Sequence, residues 1–431
     1  MMLISSSLVA RLLTVLRHDA RRIWNAGVFH VAVSNFFSRA TLLAQRVLLA
    51  RILGAENIGH IAIVTATLSL IRLPAGVGTF TVVNKLVAEN TDDIRAQKEV
   101  VGTALWINLV TTLLIAVASW FVLSSTTWLK DPVANSLLRI LIVFLPLMIY
   151  SEVFRNALMG QRRMQTVAKL DIALSVISIF VVVPMASIWL LRGWFVNQVL
   201  VIVLGCGLLA WNLRKILSMK WNGVVAKKIA TIGSYAFLAQ LLGTLVLQFD
   251  TLSVGNMLSP QVTGVYNTAA LAAQQMLVVP GAILTVAFPV VAQNRDNPKG
   301  LKERYWELFR KIGVLAIVVS SLMWFLSPIF FALFGQEFNQ SVSPFRILML
   351  GFIARSLYIL DNTYLDALGR TDITFVSALF AAICTIVLNL TFIPRWGIMG
   401  AAWATTVSMF VSLAARQLAV YYFIFKKHAV R

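Results

Sequence analysis

The sequence predicts an all-α integral membrane protein with about 12 transmembrane helices, and three observations lead there. The 431 residues are 59% hydrophobic and only 13% charged, whereas soluble chains are roughly half apolar and a quarter charged. The apolar runs reach about 20 residues or more, the length a helix needs to cross the hydrocarbon layer. The remaining charges alternate between rich and poor connections along the chain. Length alone would suggest two or three soluble domains, but composition overrides that prior. Only helices or closed barrels satisfy their backbone in lipid, and these runs are far longer than the ~10-residue alternating strands of a barrel.

In chain order, segment 1–26 comes first. It is apolar on one face (Ile4, Leu8, Leu12, Val15) and basic elsewhere (Arg11, Arg17, Arg21, Arg22). That pattern reads as a helix lying in the cytoplasmic interface, and no cleavable signal peptide is evident. Spans are expected near 27–51, 58–83, 99–124, 133–157, 164–188, 194–213, 232–256, 262–291, 308–334, 342–367, 372–393 and 397–425. They divide into a lobe at 27–213, a cytoplasmic linker at 214–231, a second lobe at 232–425 and a tail at 426–431. The N-terminal segment, the even-numbered connections and the tail hold most loop Lys and Arg. The odd-numbered ones hold only Arg51, Lys130, Arg192 and Arg395. Both termini are therefore expected in the cytoplasm. The net charge of +20 sits beside apolar spans, where it sets topology, so nucleic acid is excluded as a partner.

The chain also resembles itself. LGAENIGHIAIV (53–64) opens the second span and LSPQVTGVYNTA (258–269) the eighth, each with a turn, then Gly59 or Gly264, then an apolar helix. NALMGQRRMQT (156–166) and DALGRTDIT (366–374) end the fourth and tenth spans, so the offset is about 205 to 209 residues in both cases. Two six-helix copies with one orientation are a transporter signature, with the substrate expected between the halves.

Nine basic residues fall inside the expected spans: Arg39, Arg46, Arg72, Arg139, Arg155, Lys169, Arg346, Arg355 and Arg416. The embedded acids are Glu152, Asp171, Asp250, Asp361 and Asp366. A charge at the bilayer centre costs at least ~2.5 kcal/mol, so such residues normally face a wet cavity or a partner. Arg39, Arg72 and Arg355 each lie roughly 20 Å into their spans. Arg46 is two turns beyond Arg39 on the same face. Arg39, Arg46, Arg72 and Arg355 are therefore the candidate cationic cavity for an anionic substrate, set against structural ion pairing. A planar guanidinium fork suits phosphate. Arg139, Arg155, Lys169 and Arg346 lie near span ends, where they can snorkel, and Glu152 is placed to pair with Arg155. Asp250 and Asp361 read equally as coupling acids or as salt-bridge partners of a cavity arginine.

Pro74, Pro146, Pro184, Pro280 and Pro289 lie inside spans and are expected to kink them. Cys206 and Cys384 form no metal or redox motif. There is no Walker loop and no His/Cys cluster with metal spacing, so no catalytic residue, metal or cofactor is expected. Transport energy would then come from a gradient.

ARILGAENIGHIAIVTATL (50–68) resembles the first-loop motif of the polysaccharide transporter family, within the multidrug/oligosaccharidyl-lipid/polysaccharide (MOP) exporter superfamily. FDTLSVGNMLSPQVTGVYNTAA (249–270) is similar to its span 7–8 motif, and ALGRTDITF (367–375) and IPRWGIMGAAWATTVS (393–408) to its late motifs. The resemblance implies a MATE-like fold of two six-helix lobes around a central cavity. It also implies a Wzx-type flippase of the bacterial inner membrane, moving undecaprenyl-pyrophosphate-linked repeat units for O-antigen or other surface polysaccharide. Expected partners are that glycan, membrane lipids, and polysaccharide polymerase and chain-length proteins. Of the candidate residues, Asp250 alone is carried by a motif match. The rivals are a drug/cation antiporter of the same superfamily, a lipid II flippase, and a non-transporting assembly partner.

Overall fold

The computed structural model describes residues 28–125, 129–293 and 298–422, apart from the side chains of 28–40 and of several positions between 282 and 299. The expected interfacial segment 1–26 and the tail 426–431 lie outside the described residues. Among the described residues every regular element is helical. The first elements are α1 (Val28–Gly76), α2 (Thr79–Glu89), α3 (Ile94–Ser125), α4 (Pro132–Val143), α5 (Leu145–Gly160), α6 (Met164–Trp189) and α7 (Leu191–Asn212). They are followed by α8 (Gly223–Met257), α9 (Pro260–Gln274), α10 (Val278–Gln293), α11 (Pro298–Ala332), α12 (Val342–Ala367) and α13 (Thr371–Val420).

Two of these helices are too long to be single spans. At 1.5 Å per residue the 49 residues of α1 would reach roughly 74 Å, over twice a bilayer core. The helix breaks at Gly54, whose φ of 74° is a conformation glycine adopts without a Cβ penalty. α13, with 50 residues, breaks the same way at Gly397, φ 58°. α4 and α5 are separated at Phe144, because Pro146 has no N–H to offer the carbonyl of Ile142. A 3₁₀ turn at Gln275–Leu277 joins α9 to α10, just ahead of Pro280.

Eight described helices are long and apolar enough to cross a membrane, nine when α4 and α5 count as one broken span. The halves of α1 and of α13, and the combined α9–α10 stretch, bring the spans to the expected twelve.

The chain packs as two compact units that interleave along the sequence. One comprises Met1–Leu48, Thr79–Leu109 and Pro146–Ile229; the other comprises Leu49–Gly78, Val110–Leu145 and Ala230–Arg431. Within the first, Ser178 of α6 accepts from Gln45 Nε2 of α1 at 3.1 Å and from Asn197 Nδ2 of α7 at 3.0 Å. Arg155 of α5 pairs with Asp171 of α6 at 2.6 Å.

The second unit brings the two copies of the repeat into contact. A Cβ on Gly59 would stand 1.7 Å from the carbonyl oxygen of Pro260, and a Cβ on Gly264 would stand 2.0 Å from that of Ala55. Gly264 is 205 residues beyond Gly59, and Pro260 is 205 beyond Ala55. Each copy therefore presents to the other the contact it receives, the mark of a two-fold arrangement. Beside this crossing, Glu337 Oε2 accepts from the Ala55 amide at 2.7 Å, just after the Gly54 break. His60 Nδ1 meets Asp131 Oδ2 at 2.5 Å, both side chains being buried.

Candidate functional site

The embedded basic residues divide by what their guanidiniums touch. Arg346 donates from Nε to the Trp324 carbonyl at 3.3 Å and to Ser327 Oγ at 3.2 Å, with Cζ 5.6 Å from the Trp324 ring centroid. Arg139 reaches across to the Leu123 carbonyl, though its Nε is unpaired. Arg155 has Asp171. These three are side chains that tie neighbouring helices together, where their places near span ends suggested snorkelling to the interface.

The four cavity candidates differ. Arg39 lies on α1, but its side chain is outside the described residues. Arg46, seven residues further on in the first unit, is exposed. Arg72, in the second unit, is half-buried, two residues before Pro74. Arg355, in the middle of α12, is half-buried over the Phe352 ring, Cζ to centroid 5.6 Å. Its Nε and Nη1 are buried and bonded to nothing among the described residues.

The two acids sit in separate clusters of the second unit. Asp250 of α8 is 4% exposed. It accepts from Tyr266 OH at 2.8 Å, from its neighbour's amide, Thr251 N, at 2.7 Å, and from Thr405 Oγ1 at 3.4 Å. Its described partners are hydroxyls and an amide, and no described basic group forms a salt bridge with it. Asp361 of α12 is fully buried. It accepts from Tyr305 OH at 2.6 Å and from Gln417 Nε2 at 3.1 Å through both oxygens. Thr405 and Gln417 both lie on α13, so the clusters are roughly 18 Å apart along that helix. Each carboxylate is held by neutral donors where a salt bridge to an arginine was the alternative.

Arg416, one of the nine embedded basic residues but outside the four cavity candidates, is 3% exposed. Its Nε donates to Asn362 Oδ1 at 2.7 Å and its Cζ lies 4.5 Å from the Tyr358 ring centroid. The available signal was Arg416 itself, the one charged residue of the expected span 397–425, beside Gln417. Among the described residues no three His, Cys, Asp or Glu side chains converge as metal ligands.

Residues 48–343 match the family model described as "Polysaccharide biosynthesis protein". The chain belongs to this family. The matched stretch takes in Arg72, Asp250 and the Gly59–Gly264 crossing, and it ends before Arg355, Asp361 and Arg416. Among relatives, the teichuronic acid biosynthesis protein TuaB of Bacillus subtilis is 22% identical over 65% of this chain and 59% of its own length. The chain thus spans about three fifths of that relative. A Haloferax volcanii protein named "Probable low-salt glycan biosynthesis flippase Agl15" is 22% identical over 88% of this chain and 80% of its own.

Two solved structures share the fold of this chain. An inward-facing MATE transporter of the MOP superfamily superposes with a TM-score of 0.76 at 14% identity, over 90% of this chain and 94% of that one. The lipid II flippase MurJ gives 0.73 at 14% identity, over 90% and 86%. The chain is thus a multi-pass membrane protein with the MOP fold, in a family of polysaccharide biosynthesis proteins.

Proposed function

We propose that this protein is a flippase of the bacterial inner membrane with both termini in the cytoplasm. It carries undecaprenyl-pyrophosphate-linked oligosaccharide repeat units from the cytoplasmic to the periplasmic leaflet by alternating access of the lobes 27–213 and 232–425. The observation that carries the reading is Arg355, a guanidinium in the middle of a membrane helix whose buried nitrogens have no described partner. An anionic headgroup supplies the missing acceptors, and Arg39, Arg46 and Arg72 are the other basic residues assigned to the substrate in this reading. The likeness to a protein named as a glycan flippase supports the substrate class. In this scheme the pyrophosphate enters the basic cavity, the glycan occupies the wet interior and the prenyl tail stays in lipid. The lobes rock because the substrate binds the two states unequally. Polymerase and chain-length proteins take the product on the far side.

The test is the sidedness of lipid-linked glycan in spheroplasts of cells depleted of the protein, probed with an impermeant glycan-modifying reagent. Repeat units should accumulate facing the cytoplasm, and wild type should restore export where Arg355→Gln does not. Normal arrival at the outer leaflet without the protein overturns the reading.

A second reading, a drug/cation antiporter, is favoured by Asp250, a buried carboxylate without a described basic partner. It predicts drug sensitivity, with normal glycan export, in a deletion strain.

A further inference from the structure

Arg355 does not stand alone. Arg355, Tyr358 and Asn362 are spaced i, i+3 and i+7 on α12, so they share one face. Arg416 of α13 lies along that face, stacked on Tyr358 and bonded through Nε to Asn362. The two guanidiniums are near enough to act on each other as like charges. Three buried nitrogens remain without a hydrogen-bond partner: Nε and Nη1 of Arg355 and Nη1 of Arg416.

Buried guanidinium donors left unused in a membrane protein are costly unless something supplies acceptors. The nearby carboxylates of Asp361 and Asp366 place negative charge near Arg416 but take their hydrogen bonds from other donors. Asp361 holds Tyr305 and Gln417, and Asp366 accepts from Thr374 Oγ1 at 2.9 Å. No described salt bridge joins either acid to Arg355 or Arg416. Arg346 and Arg155 show how this chain satisfies an arginine that only braces helices: with a carbonyl and a hydroxyl, or with a carboxylate. Arg416 is satisfied in the first way at Nε alone, and Arg355 in neither way among the described residues. Tyr358 and Asn362 hold Arg416 by its ring-facing side and its Nε, leaving the buried Nη1 without a described acceptor.

We propose that Arg355 and Arg416 form an oxyanion-binding pair in the second unit, which takes a phosphate or pyrophosphate group between two guanidiniums. Arg416 is the binding residue that the depth argument did not select, and Tyr358 and Asn362 are its positioning residues. The pair deepens the flippase reading, resting on it only for the lipid-borne source of the pyrophosphate. The chemistry suits a free oxyanion equally.

The experiment uses the full chain in phosphatidylcholine nanodiscs, titrated calorimetrically with inorganic pyrophosphate and, separately, with a short prenyl pyrophosphate. Arg355→Gln and Arg416→Gln should each weaken pyrophosphate binding about ten- to hundred-fold, the range for a charge-assisted bond. Arg416→Lys keeps the charge but loses the fork, so the loss should be smaller. Asp361→Asn removes a nearby negative charge and should tighten binding. A merely structural Arg416 would lower the melting temperature and leave the affinity of the folded fraction unchanged, and that result overturns the proposal. Should Arg416→Gln not fold, Arg355→Gln decides, since Arg355 makes no described hydrogen bond to lose; affinity within twofold of wild type overturns the pair. Tighter binding of the prenyl form supports the pair with a lipid headgroup as ligand, and equal binding supports it with a free oxyanion. If both variants bind normally, the pair fails while the sidedness assay still judges the flippase. If the pair binds and export is normal without the protein, the flippase reading fails alone.

Discussion

The contact between Gly59 and Gly264 sets a sharp condition on the fold. A Cβ at Gly59 would lie 1.7 Å from the carbonyl oxygen of Pro260, and one at Gly264 would lie 2.0 Å from that of Ala55. Packed aliphatic carbons keep about 3.5 Å, so Gly59→Ala must move the backbones apart by roughly 1.8 Å and Gly264→Ala by roughly 1.5 Å. Both obstacles are backbone, so no side chain can swing away. Overpacking costs about 1–3 kcal/mol, and these substitutions belong at the upper end. If the crossing closes one face of a transporter, that energy shifts the balance toward states in which it is open, by about 5- to 150-fold. Thr263, fully buried one residue before Gly264, reports on the opening. With Cys206 and Cys384 replaced by serine, a Thr263→Cys protein should react slowly with a maleimide, and Gly59→Ala should accelerate it within that range. Gly264→Ala should do the same. Because both substitutions pry apart one crossing, the double variant should fall well short of the sum. Unchanged labelling together with an unchanged melting temperature in both single variants would refute the reasoning.

Other substitutions follow from the same packing. Asp131 N-caps α4 by accepting from the Val133 amide at 3.0 Å while its other oxygen meets His60. Asp131→Ala loses a cap worth ~0.5–2 kcal/mol and strands a buried imidazole; thermal unfolding should show a fall of several degrees, with Asp131→Asn between it and wild type. Arg346→Gln should lower stability by about 1–2 kcal/mol without altering pyrophosphate affinity, since its bonds all go to α11. Lys311→Ala removes an exposed pair with Glu307, and because exposed pairs contribute little the melting curve should not move.

What the sequence made legible was whatever depends on length and period. Twelve apolar runs demanded twelve spans. The expected loops at 51–58 and 393–397 are instead kinks at Gly54 and Gly397, because one left-handed glycine turns the chain without a loop. The depth argument set Arg346 apart from Arg355 within one helix. The reason they differ is tertiary: the Trp324 carbonyl and Ser327 lie within reach of one and not the other. Arg416 and Asn362 are 54 residues apart, and no local pattern joins them. The repeat glycines were visible as a repeat, but their facing each other was not, since a periodicity carries no information about which copies touch.

The duplication keeps the backbone contact and abandons the charges. The position 205 residues before Asp250 is Gln45, and the one before Thr251 is Arg46, so the acid has no acidic twin. Were Asp250 the coupling acid of an oxyanion carrier, this asymmetry would set its charge apart from Arg355 and Arg416. Asp250 reaches α13 at Thr405 while the arginine pair reaches it at Arg416, roughly 17 Å along the helix. At an effective dielectric constant of about 20, unit charges at that distance interact by about 1 kcal/mol, near fivefold in affinity. This is too weak for Asp250 to quench the pair, yet strong enough to link them. In that role a negative Asp250 would oppose the oxyanion, and a cation or proton on it would remove the opposition. By reciprocity the oxyanion would then favour cation binding by the same factor. Asp250→Asn should therefore tighten pyrophosphate binding about fivefold in the nanodisc titration and abolish any dependence of that affinity on sodium or pH. An affinity that keeps its cation dependence in Asp250→Asn would remove Asp250 from the coupling and leave Asp361 as the acid to test.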